Sequence, residues 1–230
     1  LMERRKDIAG DIRLIFQPAE ETGNGSYSVI DTGALDGVSA VIGFHNYPAL
    51  PPGHIAVGKR MMAGCLRFAV TLHAEGSHGG YPHKGTGPLE ALATIILALQ
   101  NIVSRNVSAM DPAVLSVTEV HGGHVWNVIP AEAGFSGTVR TFSADVENVM
   151  EERFHSLVTS IAAGFGITAD ISWERLARPL LNDTELLDAV AAEIPGYAVR
   201  TPYEPSMGGE DFAAYVDRVP GLFAFVGSNG

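Results

Sequence analysis

The sequence predicts a split α/β domain with an α+β domain inserted into it. Three observations carry this. Strand-like runs flank a short helix near the start, the pattern changes between about residues 63 and 175, and the first style returns after Pro179. The α/β domain then covers 1–62 and 176–230, and the insert covers 63–175.

Each element follows from its local pattern. Ile12-Arg13-Leu14-Ile15-Phe16, rich in branched and aromatic residues, reads as a buried strand. Tyr27 to Ala34 reads as a short helix stopping near Gly33, and Val38 to Phe44 as a second apolar strand leading to His45. Strand, helix, strand at this spacing suggests a parallel sheet. Pro48, Pro51, Pro52 and Gly53 then break regular structure.

In the insert, Leu66, Phe68, Val70 and Leu72 alternate with Arg67, Ala69, Thr71 and His73, the period of a half-buried strand. Leu89, Leu92, Ile96, Leu99 and Val103 then recur at helical spacing. Strands follow near Val114–Val120 and Ala133–Thr141. A helix from about Ala144 carries Val149, Phe154, Leu157 and Ile161, and Thr168–Trp173 closes the unit. The order β-α-β-β-α-β is the ferredoxin-like arrangement, with both helices on one sheet face. Beyond it, Thr184 to Ile194 reads as a helix capped by Asp183, Met207–Phe212 as a Gly-rich loop entering a short helix, and Leu222–Val226 as a core strand.

Composition excludes several roles. Fifteen Lys plus Arg against 26 Asp plus Glu give a net charge of −11, which disfavours nucleic acid as a partner. Hydrophobic residues make up 46%, enough for a packed core. The single Cys65 excludes an intrachain disulfide framework. No apolar run approaches the roughly 18 residues of a membrane helix; Leu89 to Val103 is broken by Glu90, Thr94, Gln100 and Asn101. The opening Leu1-Met2-Glu3-Arg4-Arg5-Lys6 has no basic-then-apolar signal pattern. With no disulfides, this favours the cytoplasm.

Candidate chemistry begins at Gln17-Pro18-Ala19-Glu20-Glu21, directly after a predicted strand. The two glutamates can share a site only if the chain turns there, which Pro18, Gly23 and Gly25 make plausible. One carboxylate could then bind a cation while the other moves protons; the alternative is a solvated acidic loop. His45 ends the next strand, and with the carboxylates it makes a ligand set suited to zinc or a similar metal. The alternative is a histidine satisfied by the backbone. His78 stands in the Gly-rich turn Gly76–His83, Asn127 in Asn127-Val128-Ile129-Pro130, and Arg140 in a strand of small or apolar neighbours, where it could pair with an anion. Cys65 reads as a small core or boundary residue. Ser77 and Ser206 lack a G-x-S-x-G elbow, and Gly208-Gly209 is no phosphate loop.

Taken together and in order, Gln17–Glu21, Gly43-Phe44-His45, His78 with Pro82-His83, Asn127–Pro130, Gly137–Arg140 and Met207–Phe212 resemble the M20 family of metallopeptidases, in particular its amidohydrolase branch. That branch holds N-acyl-amino-acid, hippurate and indole-acetyl-amino-acid hydrolases and N-acetyl-diaminopimelate deacetylases. The resemblance implies a zinc-peptidase-like α/β catalytic domain, a ferredoxin-like lid that also dimerises, and two divalent ions, zinc or manganese, in a complete site. It implies Glu20 as the base that activates the metal-bound water, Glu21 and His45 as metal ligands, and His78 as a lid histidine reaching the partner subunit's site. It implies Asn127 and Arg140 as substrate-binding residues, and Gly208 and Gly209 as backbone lining.

The implied reaction is hydrolysis of a small N-acyl amino acid, in a homodimer formed through the lid edge. The branch also carries an upstream Cys-Gly-His-Asp motif and a downstream histidine ligand, neither of which stands in this sequence. The expectation is therefore a chain cut at both ends and inactive alone. The other functions in view are a binding or dimerisation module and an M20 dipeptidase.

Overall fold

A computed structural model describes residues 9–229, apart from Asn24 and Tyr197 and the Thr22 side chain. The opening Leu1–Lys6 run lies outside the described residues. In chain order the elements are α1 (Gly25–Asp31), β1 (Val41–Tyr47), β2 (His54–Ala56), β3 (Arg60–Met62), β4 (Gly64–His73), β5 (Ser77–His78), α2 (Pro88–Asn106), β6 (Ala113–Gly122), β7 (Val128–Ile129) and β8 (Glu132–Thr141). They continue with α3 (Ala144–Gly164), β9 (Thr168–Ala177), β10 (Leu180–Leu181), α4 (Thr184–Glu193), β11 (Val199–Arg200), α5 (Ala213–Val216) and β12 (Gly221–Gly227).

The order β6-β8-β4-β9 makes one four-stranded antiparallel sheet. The alternation read along β4 is realised: Leu66, Phe68, Val70 and Leu72 are buried under α2 and α3. These helices contribute Ile95, Leu99, Met150, Phe154 and Val158, with the Phe68 and Phe154 rings 4.7 Å apart. Burying each such side chain stabilises the fold by about 1.5–3 kcal/mol. Ser143 starts α3 by accepting the Val146 amide at 3.4 Å. Asp183 caps α4, accepting the Leu186 amide at 2.9 Å. No described helix is long and apolar enough to cross a membrane.

The second sheet has the order β1-β12-β2-β11. It is mixed where the spacing suggested parallel: β1 lies parallel to β12 and β2 to β11, but β12 and β2 are antiparallel. Ile12–Phe16 is a further correction. It belongs to no strand, and Ile12, Leu14 and Phe16 are exposed. β1, the expected neighbour, takes β12 as its partner instead, and a run without a ladder cannot pair its backbone groups as a strand does. Branched and aromatic composition reports fitness for a sheet, not the presence of a neighbour.

The two sheets are joined by adjacent crossings. β3 leads into β4 and β10 follows β9, and these crossings pair with each other antiparallel, Met62 opposite Leu180. The arrangement brings the row Arg140–Cys65–Ala177, from β8, β4 and β9, to the end of one sheet. The loops before α1 and α5 and the strand β1 face it across a cleft.

Candidate active site

The cleft measures about 340 Å³. It is lined by Glu20, Glu21, Gly23, His45, Glu210 and Asp211 together with Cys65, Arg140, Leu176, Ala177 and Gly209. A depression of about 390 Å³ near Lys59 and Asp217 offers less chemistry. Three of its charged groups are already engaged: Lys59 donates to the Asn182 carbonyl and Thr184, Asp183 caps α4, and Asp217 pairs with Arg178.

The turn that lets both glutamates share the hollow is present. Ala19 takes a left-handed conformation, with φ at 57°, and Glu20–Thr22 forms a 3-10 turn closed by the Gly23 amide on the Glu20 carbonyl at 2.8 Å. A non-glycine residue in that region is strained, so surrounding contacts must hold it. Gly25 lets the loop fold tightly: a Cβ there would lie 1.9 Å from the Pro18 carbonyl oxygen.

Carboxylates crowd this cleft. Glu20, Glu210 and Asp211 each offer an oxygen, and these lie within 4.8 Å of one another. Glu210 and Asp211 are only 6% and 4% exposed. Burial, above all, pushes the Glu210 carboxyl up to about 7, and the Glu20 and Asp211 charges add to it; the Phe212 amide, donating to Glu210 Oε1 at 3.2 Å, and His45 oppose. Glu20 is raised by burial first, then by the Asp211 and Glu21 charges, with His45 opposing. Asp211 differs from its neighbours because protein donors occupy it. Gln17 Nε2 donates to both oxygens, at 2.7 and 2.9 Å, and the Ser26 amide donates to Oδ2 at 3.0 Å.

His45 Nδ1 lies 2.6 Å from the Asn46 carbonyl oxygen. A carbonyl only accepts, so Nδ1 carries the proton and Nε2 keeps a free lone pair. The backbone partner expected as the bland alternative therefore also prepares the ring as a ligand. Arg140 Nε donates to Thr138 Oγ1 at 3.2 Å. A Cβ on Gly209 would lie 3.1 Å from Cys65 Cβ and 3.2 Å from Arg140 Nη1, so glycine there leaves the guanidinium its position.

Glu20, Glu21, His45, Arg140 and Gly209 are thus brought together, while the other candidates stand elsewhere. His78 sits on β5 of the two-stranded ribbon and Asn127 in the turn directly before β7, where Gly79 donates to the Asn127 carbonyl at 2.8 Å. His78 Nδ1 accepts the Gly80 amide at 3.0 Å. Gly208 borders Met62 and donates to Ser206 Oγ at 3.0 Å. Glu210 and Asp211 were passed over in the sequence. The signal was two acids set directly between a glycine pair and the apolar run Phe212–Val216, a setting that buries them.

The donor set fits a divalent cation. Glu20, Glu210 and Asp211 converge closely enough to share an ion, and positive charge would relieve their mutual repulsion; the expected ligands Glu21 and His45 line the same hollow but stand outside that converging group.

A mixed α/β fold with a metal-competent cleft of carboxylates and imidazole is the class of protein these features define. The chain belongs to peptidase family M20/M25/M40, whose model matches residues 1–230. It is 42% identical to an N-acetyl-L-cysteine deacetylase of Bacillus subtilis (strain 168), across 100% of this chain and 56% of that relative. It is 36% identical to an N-acyl-L-amino acid amidohydrolase of Geobacillus stearothermophilus, across 79% of this chain and 50% of that protein. The crystal structure of a dinuclear metal binding peptidase of the M20 family from Bacillus subtilis superposes with a TM-score of 0.79 at 38% identity, covering 94% of this chain and 55% of that one. The chain spans about half the length of the curated relatives it matches.

Proposed function

We propose that this chain carries the active-site cleft of a metal-dependent amidohydrolase acting on an N-acyl amino acid or a similar small amide. The observation that carries the reading is the make-up of one cleft, in which carboxylates and an imidazole share the lining with a guanidinium. A small amide ending in a carboxylate fits that lining. Arg140 holds its carboxylate by charge-assisted hydrogen bonds, which sets its amide toward Glu20. The Gly209 backbone lines its path.

Glu21 and His45, joined by Glu210, would hold zinc or manganese, two ions in a complete site. Such an ion polarises a carbonyl and lowers the pKa of water to about 7. Glu20 acts as the base, its raised affinity for protons suiting it to take one from water and pass it to the leaving amine. The similarity to a cysteine deacetylase and an acyl-amino-acid amidohydrolase supports the substrate class.

The β-α-β-β-α-β unit, residues 63–175, is in this reading a ferredoxin-like lid inserted between 1–62 and 176–230. β6 is an open edge of its sheet, with Val120 exposed, which supports a homodimer in which His78 and Asn127 serve the partner's cleft. The compartment is the cytoplasm.

The test is hydrolysis of a panel of N-acetyl and N-benzoyl amino acids and dipeptides, with zinc or manganese supplied, by the protein in its longest native form. Release of the free amino acid, lost in Glu20→Gln by about 10²–10⁴-fold, is the expected result. Unchanged turnover in Glu20→Gln overturns the assigned base. Cleavage of dipeptides alone favours the dipeptidase.

A further inference from the structure

Asp211 stands among the carboxylates of the cleft, yet its hydrogen bonds set it apart. Both oxygens accept from Gln17 Nε2, at 2.7 and 2.9 Å, and Oδ2 also accepts the Ser26 amide at 3.0 Å. At 4% exposure it has little room for further partners. Gln17 and Ser26 bracket the turn that carries Glu20 and Glu21. That turn contains the left-handed Ala19, and Gly25 seats against the Pro18 carbonyl inside it. A strained loop persists only where its surroundings over-determine it. One buried carboxylate, reached from the other end of the chain, ties down both ends of this one.

We infer that Asp211 is a positioning residue: it clasps the 17–26 loop to the 207–212 loop and so holds Glu20 and Glu21 at the spacing cation binding needs. The inference rests on the reading of the cleft as a divalent-cation site. Its physical content is that Asp211 acts through Gln17 and the Ser26 amide rather than by touching the ion. Groups that orient metal ligands in this way typically contribute about 10–100-fold to metal affinity.

The experiment measures Mn²⁺ binding to the full chain by calorimetry, with thermal melting of every variant in the absence of metal. Glu21→Ala and His45→Ala test the underlying site, and Asp211→Asn tests the clasp. Asn182→Ala is the control for a purely structural loss. Asn182 is fully buried and bonds the Gly58 carbonyl and the Phe223 backbone, remote from the cleft lining. The double substitution Gln17→Glu/Asp211→Asn reverses the amide and carboxylate while keeping the net charge.

Asp211→Asn is expected to raise the Mn²⁺ dissociation constant about 10-fold or more, Asn182→Ala by no more than about twofold, and the double substitution to recover most of the loss. Parent-like Mn²⁺ affinity in a folded Asp211→Asn overturns the positioning role while the cation site stands. Equal loss in Asp211→Asn and in an Asn182→Ala of matched melting temperature also overturns it. If the unsubstituted chain shows no saturable binding, or binding indifferent to Glu21 and His45, the cation site itself fails and the clasp's role fails with it.

Discussion

The two sheets differ in how completely they are covered. The β6-β8-β4-β9 sheet has two long helices across one face, and Phe68, Phe135, Met150 and Phe154 are at most 1% exposed. Beside the β1-β12-β2-β11 sheet, Ile42 and Phe44 stand 49% and 65% exposed, and Phe16 87%. The first sheet builds its core from one apolar face of each strand and helix. The second buries Phe223 and Phe225 of β12 with Phe212 and Tyr215, and Leu222 and Ala224 with Leu187 and Ala191 of α4, yet leaves β1 open; Asn182 bonding the Phe223 backbone and Asp211 bonding Gln17 add distant ties. Apolar residues alone therefore do not define a core; a covering partner does.

The sharpest way to break this contrast is to truncate the same residue type in each region. Phe154→Ala, at the centre of the covered core, is expected to lose about 3–5 kcal/mol in urea unfolding. Phe16→Ala, on the exposed run, is expected to stay within about 0.5 kcal/mol. Comparable losses at the two positions would refute the contrast.

The next largest effect belongs to Glu210. Its carboxyl is pushed up to about 7 by burial, above the ordinary 4.5. The folded state therefore holds a proton that the unfolded state releases first, and the contribution is full below about 4.5 and lost as pH rises through about 7. Metal-free Glu210→Gln should melt near the parent at pH 4 and above it at pH 8, with a ceiling of roughly 3 kcal/mol. A gap that shrinks with rising pH contradicts this assignment.

Smaller again is Ser143→Ala, which removes the bond to the Val146 amide that starts α3 and should cost about 1 kcal/mol. An equal effect on both sheets' unfolding, followed by hydrogen exchange, would mean they open as one unit. Earlier loss of the helix-backed sheet would separate them.

What was legible in the sequence follows the same division. The β4 alternation, the α2 and α3 helices and the Asp183 cap are written within a few residues of one another, and the structure has all of these elements. The buried helix faces, however, are rotated from the expected ones: Leu89 and Val149 are exposed, while Ile95 and Met150 are buried. Ile12–Phe16 has the composition of a strand but, among the described residues, no partner, because pairing is decided between segments. At the site, Glu20, Glu21 and His45 were legible as residue types at the ends of predicted strands. Glu210 and Asp211 were not, because what distinguishes a buried acid from a surface one is packing that only the folded chain supplies. The meeting of Arg140 with Gly209 depends on register across three strands, which no local pattern expresses.

The paired crossings β3 and β10 have a consequence for the chain's architecture. Met62 and Leu180 are cross-strand neighbours, so everything from 63 to 179 leaves and re-enters the molecule through a gap of about 5 Å. The helix-backed sheet is thus joined to the rest of the chain through one narrow paired crossing. Excising it and closing the gap with a two-residue hairpin turn should leave the flanking chain path unbroken, and an unrelated unit with equally close termini could be grafted in its place.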